Sequence, residues 1–161
     1  MSPIAEFMKV SPQQFSQDAP AEAYANIALP RRATGGSAGY DFITPIPVEL
    51  APGESIRIPT GIRARIDEGW VLLIFPRSGL GFKYRLQLDN TVGVIDSDYF
   101  NAANEGHIMV KITNDSRENK TLSLNAGERF CQGIFLPYGL AVEEEVSAQR
   151  TGGFGSTGTV L

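Results

Sequence analysis

Apolar and polar residues alternate along most of this chain with a period of two, the signature of strands that have one dry face. The alternation is clearest in Ser55–Ile66 (SIRIPTGIRARI), His107–Asn114 (HIMVKITN) and Lys120–Gly127 (KTLSLNAG). Gly69–Pro76 (GWVLLIFP) is an unbroken apolar run, suited to a strand buried on both faces, and Arg129–Val146 (RFCQGIFLPYGLAVEEEV) completes the series. Turn clusters APGE, DEG, NDSREN and NAGE separate these segments. Many short strands punctuated by glycine and proline predict an all-β sandwich or barrel. Helix signals are confined to residues 11–27. Ser11 before Pro12 looks like an N-cap with proline at the first helical position, and Asp18 to Pro20 can restart a second short turn. The edges and flat apolar faces of such sheets must be covered, which suggests oligomerisation.

Length and composition narrow the class. The 161 residues suit one domain with a real core. A net charge of −4 argues against a broad nucleic-acid or membrane-surface footprint, though not against a small anion held by a few local cations. Cys131 is the single cysteine, so no internal disulfide forms, and its apolar surroundings predict a buried, inert thiol. The N-terminus lacks a basic region followed by a long apolar stretch, and no run approaches the length of a membrane span. A soluble cytoplasmic protein is expected. The sole histidine, His107, opens an apolar strand and reads as structural.

Five stretches break the strand pattern with glycines and with charged or hydroxyl residues: AGYD (38–41), PRSGL (76–80), NTVGVIDSDY (90–99), ERFCQ (128–132) and RTGGFGSTG (150–158). The Ser78–Gly79 pair offers backbone amides and a hydroxyl, a donor set that can cradle phosphate. Asp96 follows the apolar pair Val94–Ile95, and a carboxylate at the end of a buried strand can orient and deprotonate a water. Taken singly, each stretch also reads as an ordinary turn, a strand entry or a featureless tail. Together, in this order, they resemble the trimeric dUTP nucleotidohydrolases (dUTPases), from Leu29 to the C-terminus.

That resemblance implies a distorted jelly-roll, barrel-like single domain assembled as a homotrimer. It divides the chain into an N-terminal extension with short helical turns (1–28), a β-rich core (29–147) and a flexible C-terminal lid (148–161). It implies hydrolysis of dUTP to dUMP and pyrophosphate by water attack on the α-phosphorus. Such an activity limits uracil incorporation into DNA and supplies dUMP for thymidylate synthesis. Asp96 would be the catalytic carboxylate. Ser78 and Gly79 would hold the phosphates, with Arg77 beside them as an organiser and Gln132 near the reacting water or phosphate. Tyr99 would lie under the sugar and exclude a 2′-hydroxyl by bulk. Asn90 and the backbone around Gly93 would pair with uracil and leave no space for a 5-methyl. Asp41 would reach Mg²⁺ through water, since magnesium keeps its waters and takes few protein ligands. In the arm, Arg150 would supply charge for the γ-phosphate, Phe154 would stack over the base, and Gly155, Ser156 and Thr157 would close on the phosphates. Arg129 reads as structural and Asp98 as a solvated turn residue.

Two features depart from the family pattern. Residues 100–105 (FNAANE) are inserted before Gly106, which together with the extended N-terminus resembles a bacterial subgroup. Arg150 stands four residues before Phe154, where many members have five. Two rival readings accompany the main one. A dCTP deaminase shares the fold, and a non-catalytic dUTP sensor would use the same pocket to signal to a partner.

Overall fold

The computed structural model describes residues 2–142, 150, 152 and 153. Among these the chain runs through β1 (Ala5–Lys9), α1 (Pro12–Phe15), β2 (Arg31–Arg32), β3 (Tyr40–Ile43), β4 (Val48–Leu50), β5 (Ser55–Pro59), β6 (Ile62–Ile66) and β7 (Trp70–Pro76). It continues through α2 (Ser78–Tyr84), β8 (Gln87–Leu88), β9 (Gly93–Ile95), β10 (Met109–Thr113), β11 (Leu122–Leu124) and β12 (Arg129–Pro137), with 3-10 turns at Ala21–Asn26 and Ser97–Asn101. The expected all-β class holds. Four antiparallel sheets form, in strand orders β1-β6, β5-β10-β8, β11-β4 and β2-β3-β12-β7-β9.

The five-stranded sheet positions the chemistry, and its register fixes which residues share a face. Cys131, Gly133 and Phe135 of β12 alternate inward over Phe42, Leu72 and Ile74. Gly133 is required here, because a Cβ at this position would lie 2.8 Å from Leu72 and 3.0 Å from Phe42. The alternate residues Gln132, Ile134 and Leu136 point to the other face, beside Phe75, Leu73 and Val71 of β7. That outer face is only partly covered: Val71, Leu73 and Phe75 are half-buried, while Val94 and Leu136 are exposed. The apolar run of β7 is therefore dry on one face and half-covered on the other within the chain.

The N-terminal segment is part of the core. Helical turns form where the caps predict them, with the Ser11 hydroxyl accepting from Gln14 N and Pro12 at the first helical position. The strand β1 was not legible, because AEFMK is short and does not alternate cleanly. It pairs with β6 from Ala5↔Ile66 to Lys9↔Ile62, and Phe7 inserts among Tyr40, Phe42 and Phe135 at ring distances of 5.3–5.6 Å. The alternating run Ser55–Ile66 is two strands, not one. Gly61, at φ +73°, breaks it, and the halves join different sheets. The α2 helix is likewise unannounced, since two of its seven residues are glycine. It is held by tertiary burial of Tyr84 and packing of Leu80.

Candidate active site

One end of the site is a cavity of about 460 Å³ between β9, β10 and the 3-10 turn that follows Asp96. Asn90, Gly93, Asp96, Tyr99, Arg150 and Gly153 line it, with Ile74 and Ile108 among its apolar walls. Gly93 faces Ile74 across β7, where a Cβ would stand 3.0 Å from Ile74 Cβ. Asp96 leaves the strand with extended backbone, and its carboxylate caps no amide of the turn. The side chain is thereby available to the cavity mouth.

Tyr99 is buried. Its hydroxyl donates to His107 O at 2.6 Å and accepts from Asn104 Nδ2 at 2.9 Å. Burial pushes the phenol pKa above its usual value, so the ring is neutral. Arg150 closes the mouth. Its Nη2 lies 2.5 Å from Asp96 Oδ2 and its Nε lies 2.9 Å from Asp98 Oδ1. Asp98 is an exposed turn residue, as expected, and it pairs with the same arginine as Asp96. Gly153 lies against the Tyr99 ring, where a Cβ would be 2.7 Å from Cε2.

The other end lies at the far end of β7. Pro76 ends the strand, Arg77 is extended, and Ser78 and Gly79 open α2 with amides that the helix itself cannot satisfy. Arg77, Lys83 and Arg129 border a second, more polar cavity of about 420 Å³. Asp41 of β3 stands opposite Gln132 of β12, and its Oδ2 is 2.9 Å from Arg129 Nη1. Gln132 Nε2 donates weakly to Pro76 O at 3.4 Å. Gly39 lets the Gln132 amide approach, since a Cβ there would lie 2.6 Å from Oε1.

The structure therefore gathers the predicted residues into two groups. Asn90, Gly93, Asp96, Tyr99 and Arg150 share one end, whereas Asp41, Arg77, Ser78, Gly79 and Gln132 share the other. The register measures their separation. Ile95 pairs with Leu72, which puts Asp96 level with Val71, while Gln132 pairs with Phe75 two strands away. Four residues along and two strands across correspond to about 13 Å by about 10 Å. One chain does not bring its Asp96 to its own Ser78, Gly79 and Gln132. Phe154, Gly155, Ser156 and Thr157 lie outside the described residues.

Cys131 and His107 are structural, as expected. The Cys131 thiol is buried, and desolvation raises its pKa well above normal. His107 is buried, accepts from Gly61 N at Nε2 (2.9 Å) and stands 3.3 Å from Asp18 through Nδ1. Sequence reasoning missed the pairing of Asp98 with Arg150 and the contact of Asn104 with Tyr99. For Asp98 the spacing from Asp96 was a usable signal; Asn104 sits in an aperiodic loop and had none.

A dUTPase family model matches residues 25–158. The chain belongs to the dUTPase family. It is 44% identical over 137 residues to the deoxyuridine 5′-triphosphate nucleotidohydrolase of Lactococcus lactis, covering 83% of this chain and 90% of that protein. The corresponding protein of Hahella chejuensis is 41% identical over 141 residues, covering 83% and 88%. Among solved structures, the dUTPase of Streptococcus mutans is 38% identical with a TM-score of 0.67, covering 84% of this chain and 97% of that one. A dUTPase from phage phi11 of S. aureus, described with a coordinated structural Mg(II) ion, has a TM-score of 0.67 at 22% identity, covering 91% and 98%. No helix of the described residues is long and apolar enough to cross a membrane.

Proposed function

We propose that the chain hydrolyses dUTP to dUMP and pyrophosphate, with Asp96 aiming a water at the α-phosphorus. The observation that carries this reading is a carboxylate, uncommitted to any backbone cap, at the mouth of a cavity walled by Tyr99 and the Asn90–Gly93 hairpin. Asp96 takes a proton from water as the water oxygen bonds to phosphorus. The bond to the bridging oxygen breaks, and pyrophosphate leaves with that oxygen. Such a reaction needs positioning and charge neutralisation in place of a protein nucleophile.

Each neighbouring group has a role. Tyr99 lies flat under the deoxyribose, and Asn90 with the Gly93 backbone reads the uracil edge. Ser78, Gly79, Arg77 and Gln132 hold the phosphates. The Arg150 guanidinium exchanges its carboxylate partners for the γ-phosphate as the arm, with Phe154, Gly155, Ser156 and Thr157, closes over the nucleotide.

Magnesium fits as an ion that arrives with the triphosphate. Among the described residues no cluster of three or more acidic, histidine or cysteine groups could hold it unaided. One carboxylate is enough for an ion that keeps its waters. Asp41, partly exposed and oriented by Arg129, is that carboxylate. When bound, the ion neutralises phosphate charge.

The active unit is a homotrimer whose sites lie between subunits. Two features support this: the separation of the two site halves within one chain, and the half-covered outer face that carries Leu73, Val94, Leu136 and Gln132. A second copy seated on that face would bury the apolar residues and bring its own half-site to the first.

Pyrophosphate release from dUTP, dTTP, dCTP and UTP tests the reading, with ammonia assayed alongside. Rapid turnover of dUTP alone is expected. Ammonia from dCTP would instead indicate deamination, and tight dUTP binding without turnover would indicate a sensor.

A further inference from the structure

The inserted residues 100–105 reach the cavity through one side chain. Asn104 Nδ2 donates to the Tyr99 hydroxyl at 2.9 Å, and Asn104 Oδ1 accepts from Gly106 N at 3.1 Å. The hydroxyl gives its only proton to His107 O, 2.6 Å away, so its oxygen meets Asn104 as an acceptor. Two bonds from different directions fix both the ring and the rotation of its hydroxyl.

The loop that presents Asn104 is itself braced. Arg63 Nη2 donates to Phe100 O at 2.7 Å, and the guanidinium lies 3.7 Å from the Phe100 ring centre. Glu105 accepts from the Ser11 amide and hydroxyl at 2.8 and 2.6 Å, which holds it at φ +60° where a side chain is disfavoured. Gly106 packs so closely that a Cβ would stand 2.6 Å from Tyr99 O. Three separate attachments for a short surface insertion exceed what simple loop closure requires.

We infer that Asn104 is a positioning residue for sugar selection. It holds the Tyr99 ring at the tilt that closes the cavity to a 2′-hydroxyl, and the Glu105–Ser11 contact ties that tilt to the N-terminal segment. The inference rests on the reading of Tyr99 as the floor under the deoxyribose. Exclusion by bulk is only as sharp as the wall is rigid. A ring tethered by its His107 bond alone can rock away from an added oxygen.

The test compares kcat/KM for dUTP, UTP and dTTP in Asn104→Ala, Asn104→Leu, Tyr99→Phe and Tyr99→Ala enzymes, with melting curves for each. Asn104→Ala is expected to lower the dUTP/UTP ratio about tenfold. The dUTP/dTTP ratio should hold, because the 5-methyl meets a different wall. Asn104→Leu, which restores volume without a donor, should behave alike. In a Tyr99→Phe background Asn104→Ala should change the ratio no further, since both act through one bond. If Tyr99→Ala collapses the dUTP/UTP ratio while both Asn104 variants retain it, Asn104 only supports folding and the inference fails. Equal loss of both ratios would show general loosening and also overturn it. An unchanged ratio in Tyr99→Ala would remove the sugar-floor reading and this inference together.

Discussion

The two ends of the site are built by opposite means. The end proposed for the nucleoside is a cavity with mainly apolar walls, and its Tyr99 wall is held by hydrogen bonds within one short stretch: Tyr99 to His107, Asn104 to Tyr99, Gly106 to Asn104. The end proposed for the phosphates is more polar, and its parts come from β3, β7, α2 and β12, with an Asp41–Arg129 ion pair between β3 and β12. Recognition of a base and sugar demands a rigid, dry shape, which local chain segments can supply before any ligand arrives. Holding a triphosphate demands converging charge, and Arg77, Lys83 and Arg129 border the more polar cavity. In the proposed trimer the two functions divide across a subunit boundary, which places the convergence where the ligand itself neutralises it.

The largest effect should come from breaking this division directly. Asp96→Asn is expected to lower kcat by at least about a thousandfold while a non-hydrolysable dUTP analogue still binds. A chain carrying Ser78→Ala with Gln132→Ala should be similarly inactive from the other end. Refolding the two inactive chains together at equal amounts should restore about a quarter of wild-type activity, because a random interface joins the two intact halves one time in four. No recovery in the mixture would mean that both halves act within one chain, against the separation set by the β7 register.

Next in size is Arg150→Ala. The arginine pairs with Asp96 and Asp98 and is proposed to transfer to phosphate. Removing it should lower kcat/KM for dUTP about 10- to 100-fold, in the range of one charge-assisted contact. The loss should diminish for dUMP binding, which lacks the outer phosphates. Equal weakening of dUMP and dUTP would place Arg150 at the nucleoside end alone.

The same contrast explains what the sequence disclosed. Motifs with fixed local chemistry were legible: Ser11–Pro12 as a helix start, the Val94–Ile95–Asp96 strand end, the glycine and hydroxyl residues after Pro76. The period-two runs announced β5, β6, β10 and β11. What was hidden depends on distant partners. The β1 strand exists because Phe7 finds Tyr40, Phe42 and Phe135, and α2 exists because Tyr84 is buried, despite the glycines that weaken it. Asp98 gains its ion pair only because Arg150 arrives from 52 positions away in the chain (150 − 98). Asn104 sits in a loop without periodicity, and only its contact with Tyr99 gives it meaning.

The smallest expected effect concerns stability, and it separates the two ends by pH. His107 lies beneath the nucleoside end, and its carbonyl anchors Tyr99. Burial lowers its pKa below the ordinary 6.5, opposed by the nearby Asp18 and Glu105 carboxylates and reinforced by Arg57. Below about pH 6.5 the unfolded chain therefore binds a proton that the folded chain resists. Stability is level above that value and falls as pH drops from it towards the lowered folded pKa. Between about pH 6.5 and 5, most carboxylates have yet to titrate, so the slope belongs to His107. The melting temperature should decline by a few degrees across that window. His107→Gln should melt lower at neutral pH yet show a flat profile over the same range. Because the residue that carries this imidazole also supplies the carbonyl that anchors Tyr99, acid should first erode dUTP/UTP discrimination. A parallel loss of triphosphate binding would show that the two ends are mechanically one.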